Sequence, residues 1–272
     1  MNEYSTTKTN VDVIIFSGQS NMQGQSEALS ENEVVERAFE YKYLDDSLSP
    51  LKNPVGEDIR YSGKGGEPFT HITDQKKWLS DHVLGSACYG HTNLVPSFAR
   101  AYIQKTQTPI IAVHAAKGST KIEEWLPGSD GYSALVKKSI SAIKKVEKQY
   151  KIRRILFVWL QGESDAIYGT TKNEYIERIK LLAHALKSEL GIDYFGIIRV
   201  GAFTNDERDM QIISAQDEIC REDSFFLMLT DIALELKTDP SMMNPKVRGH
   251  YSAKGLEKLG GAAGASFAEL LS

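Results

Sequence analysis

Five short runs of almost unbroken apolar character, rich in β-branched and aromatic residues, fall at 11–16, 109–114, 155–160, 194–200 and 225–229. Strands with one solvated face alternate apolar with polar residues, whereas strands covered on both faces read as continuous apolar runs, the habit of parallel sheets. Between the runs lie stretches of helical spacing at 94–104, 132–150, 172–190, 206–220 and about 252–271, the third followed by Gly191 as a stop. This alternation predicts an α/β fold, a three-layer α/β/α sandwich around a doubly wound, mostly parallel five-stranded sheet with right-handed crossovers.

The stretch from about 25 to 90 breaks the pattern, since it carries Pro50, Pro54, Pro68 and several glycines and shows little periodicity. It reads as a long insertion after the first strand. Loops of this length inside a compact fold are often functional, so it is expected over the mouth of a site. No repeat or clean linker interrupts the 272 residues, which read as one domain able to bury roughly 75% of its unfolded surface. With 32 basic against 36 acidic residues the chain has no overall attraction to phosphate backbones or anionic lipid, and neither nucleic acid nor a membrane is an expected partner. The lysine-rich run Lys137, Lys138, Lys144, Lys145, Lys148, Lys151, Arg153 and Arg154 is read as a solvated helix face rather than a nucleic-acid patch. Cys88 and Cys220 match no metal or redox spacing and are expected reduced and buried. The first apolar run is far shorter than the ~20 residues that span a bilayer, and the polar residues before it have no leader layout, so a cytoplasmic protein is expected.

In an open parallel sheet, ligands bind at the carboxyl ends of the strands. Here the first strand runs into Ser17-Gly18-Gln19-Ser20-Asn21-Met22, the second into Ala115-Ala116-Lys117-Gly118-Ser119-Thr120, and the third into Gln161-Gly162-Glu163-Ser164-Asp165. Ser20 occupies a strand-to-helix turn, where its hydroxyl is either an exposed nucleophile or an ordinary helix cap. Gly118 either turns a small-residue loop or offers its N–H to an oxyanion, and Gln161 either bonds locally or donates its amide to the same place. A serine nucleophile needs a base. His250, just before the last helix, is the best-placed of six histidines. His114 ends an inner strand as a core residue or a substrate contact, His71, His82 and His91 fall in the insertion, and His184 sits on a helix among charges.

The segments GQSNM (18–22), AAKGST (115–120), WLQGESD (159–165) and GHYSAKG (249–255) stand in the order of the sequence blocks of SGNH hydrolases, which are flavodoxin-like in fold. The chain is most similar to the sialate O-acetylesterase-like and carbohydrate esterase family 6 group, which includes acetyl xylan esterases, and residues 40–57 also resemble that group. The resemblance implies a serine esterase acting on O-acetyl carbohydrate without metal or cofactor, with an acetylated sugar or oligosaccharide as its partner. It implies Ser20 as nucleophile, His250 as base, and an oxyanion hole made of the Ser20 and Gly118 N–H groups and the Gln161 side chain. Two positions depart from the pattern. Val247 stands where an aspartate often orients the histidine, so the third member must come from elsewhere. Glu163 is expected in that role, with Asp165, Asp231 or a backbone carbonyl as alternatives. Leu160 stands where the third block usually has histidine, which removes a polar group near the oxyanion site.

Two readings compete. A decayed enzyme that keeps only sugar affinity would account for Val247. A nucleotide site would draw on Ser62-Gly63-Lys64-Gly65-Gly66, although that segment fits no phosphate-binding pattern in context. Trp125 and Trp159 are expected to pack in the core or at its rim, with Trp125 a possible platform for a sugar ring.

Overall fold

The computed structural model describes residues 8–27, 33–43, 46–55 and 92–272. Its centre is β1 (Asn10–Gly18), in which every residue after Asn10 is buried. Around it the chain builds β2 (Ala38–Lys42), β3 (Ser47–Pro50), β4 (Ile110–Ala116), β5 (Lys151–Leu160), β6 (Tyr194–Ile198) and β7 (Phe226–Thr230), in the order β3-β2-β4-β1-β5-β6-β7. All neighbours are parallel except β2 and β3.

Each of the five apolar runs is a strand of this sheet. The expected count of five is nonetheless too low, because β2 and β3 come from the segment read as an insertion. They form an antiparallel hairpin on the edge beyond β4. Strands this short, only partly apolar and closed by Pro50, leave little periodic signal. That part of the insertion extends the sheet and does not cover the site, while residues 56–91, with His71, His82, His91, Cys88 and the 62–66 segment, lie outside the described residues.

Among the described residues the α-helices are α1 (Ser20–Gln23), α2 (Val95–Thr106), α3 (Asp130–Gln149), α4 (Glu163–Tyr168), α5 (Lys172–Leu190), α6 (Glu207–Glu222), α7 (Ala233–Leu236) and α8 (Ala253–Leu270). Thr171 and Glu174 close a capping box at the start of α5, and Gly191 ends it in the left-handed conformation. Helices α2 and α8 cover one face, where Phe16, Phe98, Tyr102 and Phe267 meet edge-on or stacked. The chain between Ile122 and Gln149, with α5 and α6, covers the other, over Phe157, Trp159, Phe195 and Phe226. Trp125 packs at right angles on Trp159 and both are wholly buried, so neither is a sugar platform.

The basic run is only partly a solvated face. Lys138 is buried, Lys145 pairs with Asp46, and Arg153 grips the buried Asp12 with two nitrogens while Tyr102 donates to the same carboxylate at 2.7 Å. Strand β5 therefore begins at Lys151, four residues before its apolar half, because Arg153 is needed to neutralise Asp12 on the neighbouring strand. Cys220 is reduced but only half-buried, and burial pushes its thiol up to about 12. Among the described residues no helix is long and apolar enough to cross a membrane.

Candidate active site

The strand order reverses at β1, with β4 on one side and β5 on the other, which opens a crevice at their carboxyl ends. The register sets the three ends level, since Gly18 pairs with Ala116 and with Leu160. Three turns thereby leave the sheet at one edge and carry Ser20, Gly118 and Glu163 with them.

Ser20 opens α1, and His250 arrives from the other end of the chain on the turn before α8. Their side chains meet, with Ser20 Oγ 2.8 Å from His250 Nε2. His250 Nδ1 lies 3.1 Å from the Arg248 carbonyl. A carbonyl can only accept, so Nδ1 carries the ring proton and Nε2 is left to accept from the serine hydroxyl. The Val247 carbonyl accepts the His250 backbone N–H at 3.2 Å, so the position expected to supply a carboxylate supplies backbone instead. Gly249 makes this turn with φ +80°, and a Cβ there would lie 2.2 Å from the Phe203 ring. Phe203 in turn stands edge-on to the imidazole at 6.2 Å.

The expected third member has other partners. Glu163 accepts at Oε1 from Asn21 Nδ2 at 2.7 Å, and Asn21 Oδ1 accepts from the Tyr251 N–H at 3.3 Å. Asn21 thus ties the serine turn, the Glu163 turn and the histidine loop together. Burial pushes the Glu163 carboxyl above the usual range against the pull of Asn21, while its charge reaches His250 and works to raise the imidazole. Burial has the larger effect on His250 and holds it below the ordinary imidazole value. Asp165 is consumed by the Ile122 N–H, Gln161 and Thr170, and the exposed Asp231 sits by Arg199, so neither orients the histidine.

Gln161 departs from expectation most clearly. It is wholly buried, and its amide nitrogen already faces the Thr120 carbonyl at 2.9 Å, Asp165 Oδ2 at 2.6 Å and Gln19 Oε1 at 3.2 Å. Two amide hydrogens and three acceptors leave nothing for an oxyanion. Its oxygen and carbonyl receive the Tyr175 hydroxyl, so the residue is a buried tie between strand ends. Leu160 turns its side chain into the hydrophobic core, and its carbonyl accepts the Gln19 N–H at 3.1 Å. His114 is a core residue whose Nε2 donates to the Met22 carbonyl at 2.8 Å, and His184 is exposed.

Other residues at this edge carried no signal in the sequence. Lys237 lies half-buried with its ammonium 5.5 Å over the Phe203 ring, and burial lowers its pKa. Phe203 and Lys237 sit on segments after β6 and β7, where only the folded loops determine what approaches His250. Asn21 lies inside a motif that points to Ser20 and hides its neighbours, and Gln23 follows directly after it.

The family model for carbohydrate esterases described as sialic acid-specific acetylesterase matches residues 10–268. The chain belongs to that family. It is a carboxylic ester hydrolase, and its substrates are carbohydrate esters. A probable carbohydrate esterase of Arabidopsis thaliana is 26% identical over 237 residues, which cover 84% of either chain. An Arabidopsis thaliana crystal structure superposes with a TM-score of 0.66 at 17% identity over 96% of this chain and 98% of the other. That of NanS gives 0.63 at 15% over 97% and 98%. At such identities the two structures show the shared α/β fold.

Proposed function

We propose that the protein removes O-acetyl groups from an acidic sugar by a two-step serine mechanism. The observation that carries the mechanism is the 2.8 Å contact between Ser20 Oγ and His250 Nε2. Nε2 takes the hydroxyl proton as Oγ attacks the acetyl carbonyl, and the Ser20 and Gly118 N–H groups face the developing oxyanion. The imidazolium then protonates the departing sugar oxygen, leaving acetyl-Ser20. A water activated by the same nitrogen releases acetate. The Arg248 carbonyl holds the ring and its tautomer but carries no full charge, so the Glu163 carboxylate acts on the imidazolium across the site without touching it. On this reading Val247 is no mark of decay.

The acidic sugar is favoured by Lys237. Among the described residues it joins no ion pair, and the Asp209 and Glu163 carboxylates that attract it, like Arg248 that repels it, act only from a distance. A cation left half-buried beside the base suits a carboxylate on the leaving group better than a neutral xylose unit. The test compares kcat/KM on an O-acetylated sialate with an acetylated xylose. The acidic ester is expected to be favoured roughly 10-fold to 100-fold, as one charged hydrogen bond would give, and Lys237→Ala is expected to erase the difference. A preference for the neutral ester in the unmodified enzyme would count against the acidic sugar and leave the serine chemistry standing.

The mechanism also fixes the direction of a pH effect. His250 must be neutral to act as base, and burial lowers its pKa, so the acid limb of kcat/KM is expected below pH 6.5, the ordinary imidazole value. The Glu163 carboxylate opposes that depression. Glu163→Gln removes the opposition and is expected to move the limb to still lower pH. An upward move in the pH-rate profile would refute the coupling.

A further inference from the structure

We infer that the side-chain amide of Gln25 is the oxyanion donor that Gln161 cannot be, and that the Gln23 side-chain carbonyl fills the hole at rest. The inference rests on the esterase reading above and deepens it. Three groups converge on the space where a Gly118 side chain would stand. An ideal Cβ there would lie 2.6 Å from Gln25 Nε2, 3.1 Å from Gln23 Oε1 and 3.4 Å from Ser20 Cβ. The Gly118 N–H already donates to Gln23 Oε1 at 2.7 Å.

A carbonyl oxygen that accepts from Gly118 beside the Ser20 side chain occupies the place an acyl oxygen must take, and it satisfies that N–H in the meantime. Gln25 Nε2 brings amide hydrogens to the same space, where a charge will develop. Both glutamines are half-buried, on α1 and the turn after it. Gln161 is wholly enclosed and held by four residues.

On substrate entry the acyl oxygen displaces Gln23 Oε1 from Gly118. The Oγ–C bond then forms, the π pair moves onto the acyl oxygen, and the Ser20 proton passes to His250 Nε2. Gly118 N–H and the Gln25 amide meet the charge. On collapse the pair returns, the bond from carbon to the sugar oxygen breaks, and the proton on Nε2 goes to that oxygen.

The experiment measures kcat and KM on 4-nitrophenyl acetate, and the rate of Ser20 labelling by a fluorophosphonate, for the unmodified enzyme and for Gln25→Ala, Gln25→Glu and Gln23→Ala. Loss of one oxyanion donor costs roughly 10²-fold to 10³-fold in kcat, and that loss with little change in KM is expected for Gln25→Ala. Gln25→Glu keeps the shape but has no hydrogen to donate, so it is expected to fall at least as far, and labelling is expected to slow in parallel. Gln23→Ala vacates the hole that the substrate must otherwise clear, and its kcat/KM is expected to rise by up to about tenfold, the span of one net hydrogen bond. Full kcat in Gln25→Glu, or a loss in Gln23→Ala as large as in Gln25→Ala, would overturn the inference while the esterase reading survives. An unmodified enzyme that neither turns over acetyl esters nor takes the label would overturn both.

Discussion

Alanine at position 20 is expected to lower kcat on an acetyl ester roughly 10⁶-fold, the scale seen when a serine hydrolase loses its nucleophile. The reason is geometric. Ser20 Oγ is the only hydroxyl placed within hydrogen-bond reach of His250 Nε2 among the described residues, and the turn that carries it is fixed by backbone bonds to Leu160 rather than by its side chain. Losing the hydroxyl removes about 1 kcal/mol of net hydrogen bonding, which for a chain of this size moves the thermal midpoint by only about 2–4 °C. His250→Ala is expected to cost about as much activity, and the double variant no more than either alone, because the two groups act as one unit through a single proton transfer. A stopped assay with a chromogenic acetate, together with intact-mass measurement of fluorophosphonate labelling, reads all three variants. Unimpaired turnover in Ser20→Ala would remove the nucleophile assignment, and additive losses in the double variant would remove the proton transfer between the pair.

That pair could be read from the sequence because both residues lie in short segments whose order along the chain carries the resemblance. The sheet could be read for a different reason: a strand covered on both faces must be apolar throughout, and five runs met that demand. What could not be read depended on contacts that have no local pattern. The hairpin β2–β3 is an edge with mixed residues. Gln161 is an amide in a motif, and nothing in the letters says whether an amide points to solvent or into a buried cage of acceptors. Glu163 is the same case, for a carboxylate three residues before or after any other would look alike, and only the fold sets Asn21 opposite it. The orienting group of His250 was illegible in a stronger sense. It is a main-chain carbonyl, which every residue has, so the side chain at Val247 says nothing about it.

The close fit of β1 against β5 leads to the second large effect. Gly18 ends β1 with φ +144°, and an ideal Cβ there would lie 2.0 Å from the Leu160 carbonyl oxygen and 2.7 Å from its carbon. Both atoms are backbone of a central strand and cannot step aside. Gly18→Ala therefore combines a backbone conformation costly to any side chain with a clash that must part β1 from β5. The expected destabilisation is about 4 kcal/mol or more, the range reserved for strain at special backbone angles and overpacked cores, or roughly 10 °C or more in the thermal midpoint. Activity is expected to fall beyond what the lost fold explains. The Leu160 carbonyl also accepts the Gln19 N–H, and Gln19 Oε1 receives the Ser164 N–H at 3.1 Å, so parting the strands shifts the serine turn relative to the Glu163 turn. Calorimetry and kcat measured well below the lowered midpoint separate the two consequences. A variant with an unchanged midpoint would show that the two strands are not locked at this point, and that the serine is delivered to the site by something other than the close approach of Gly18 to Leu160.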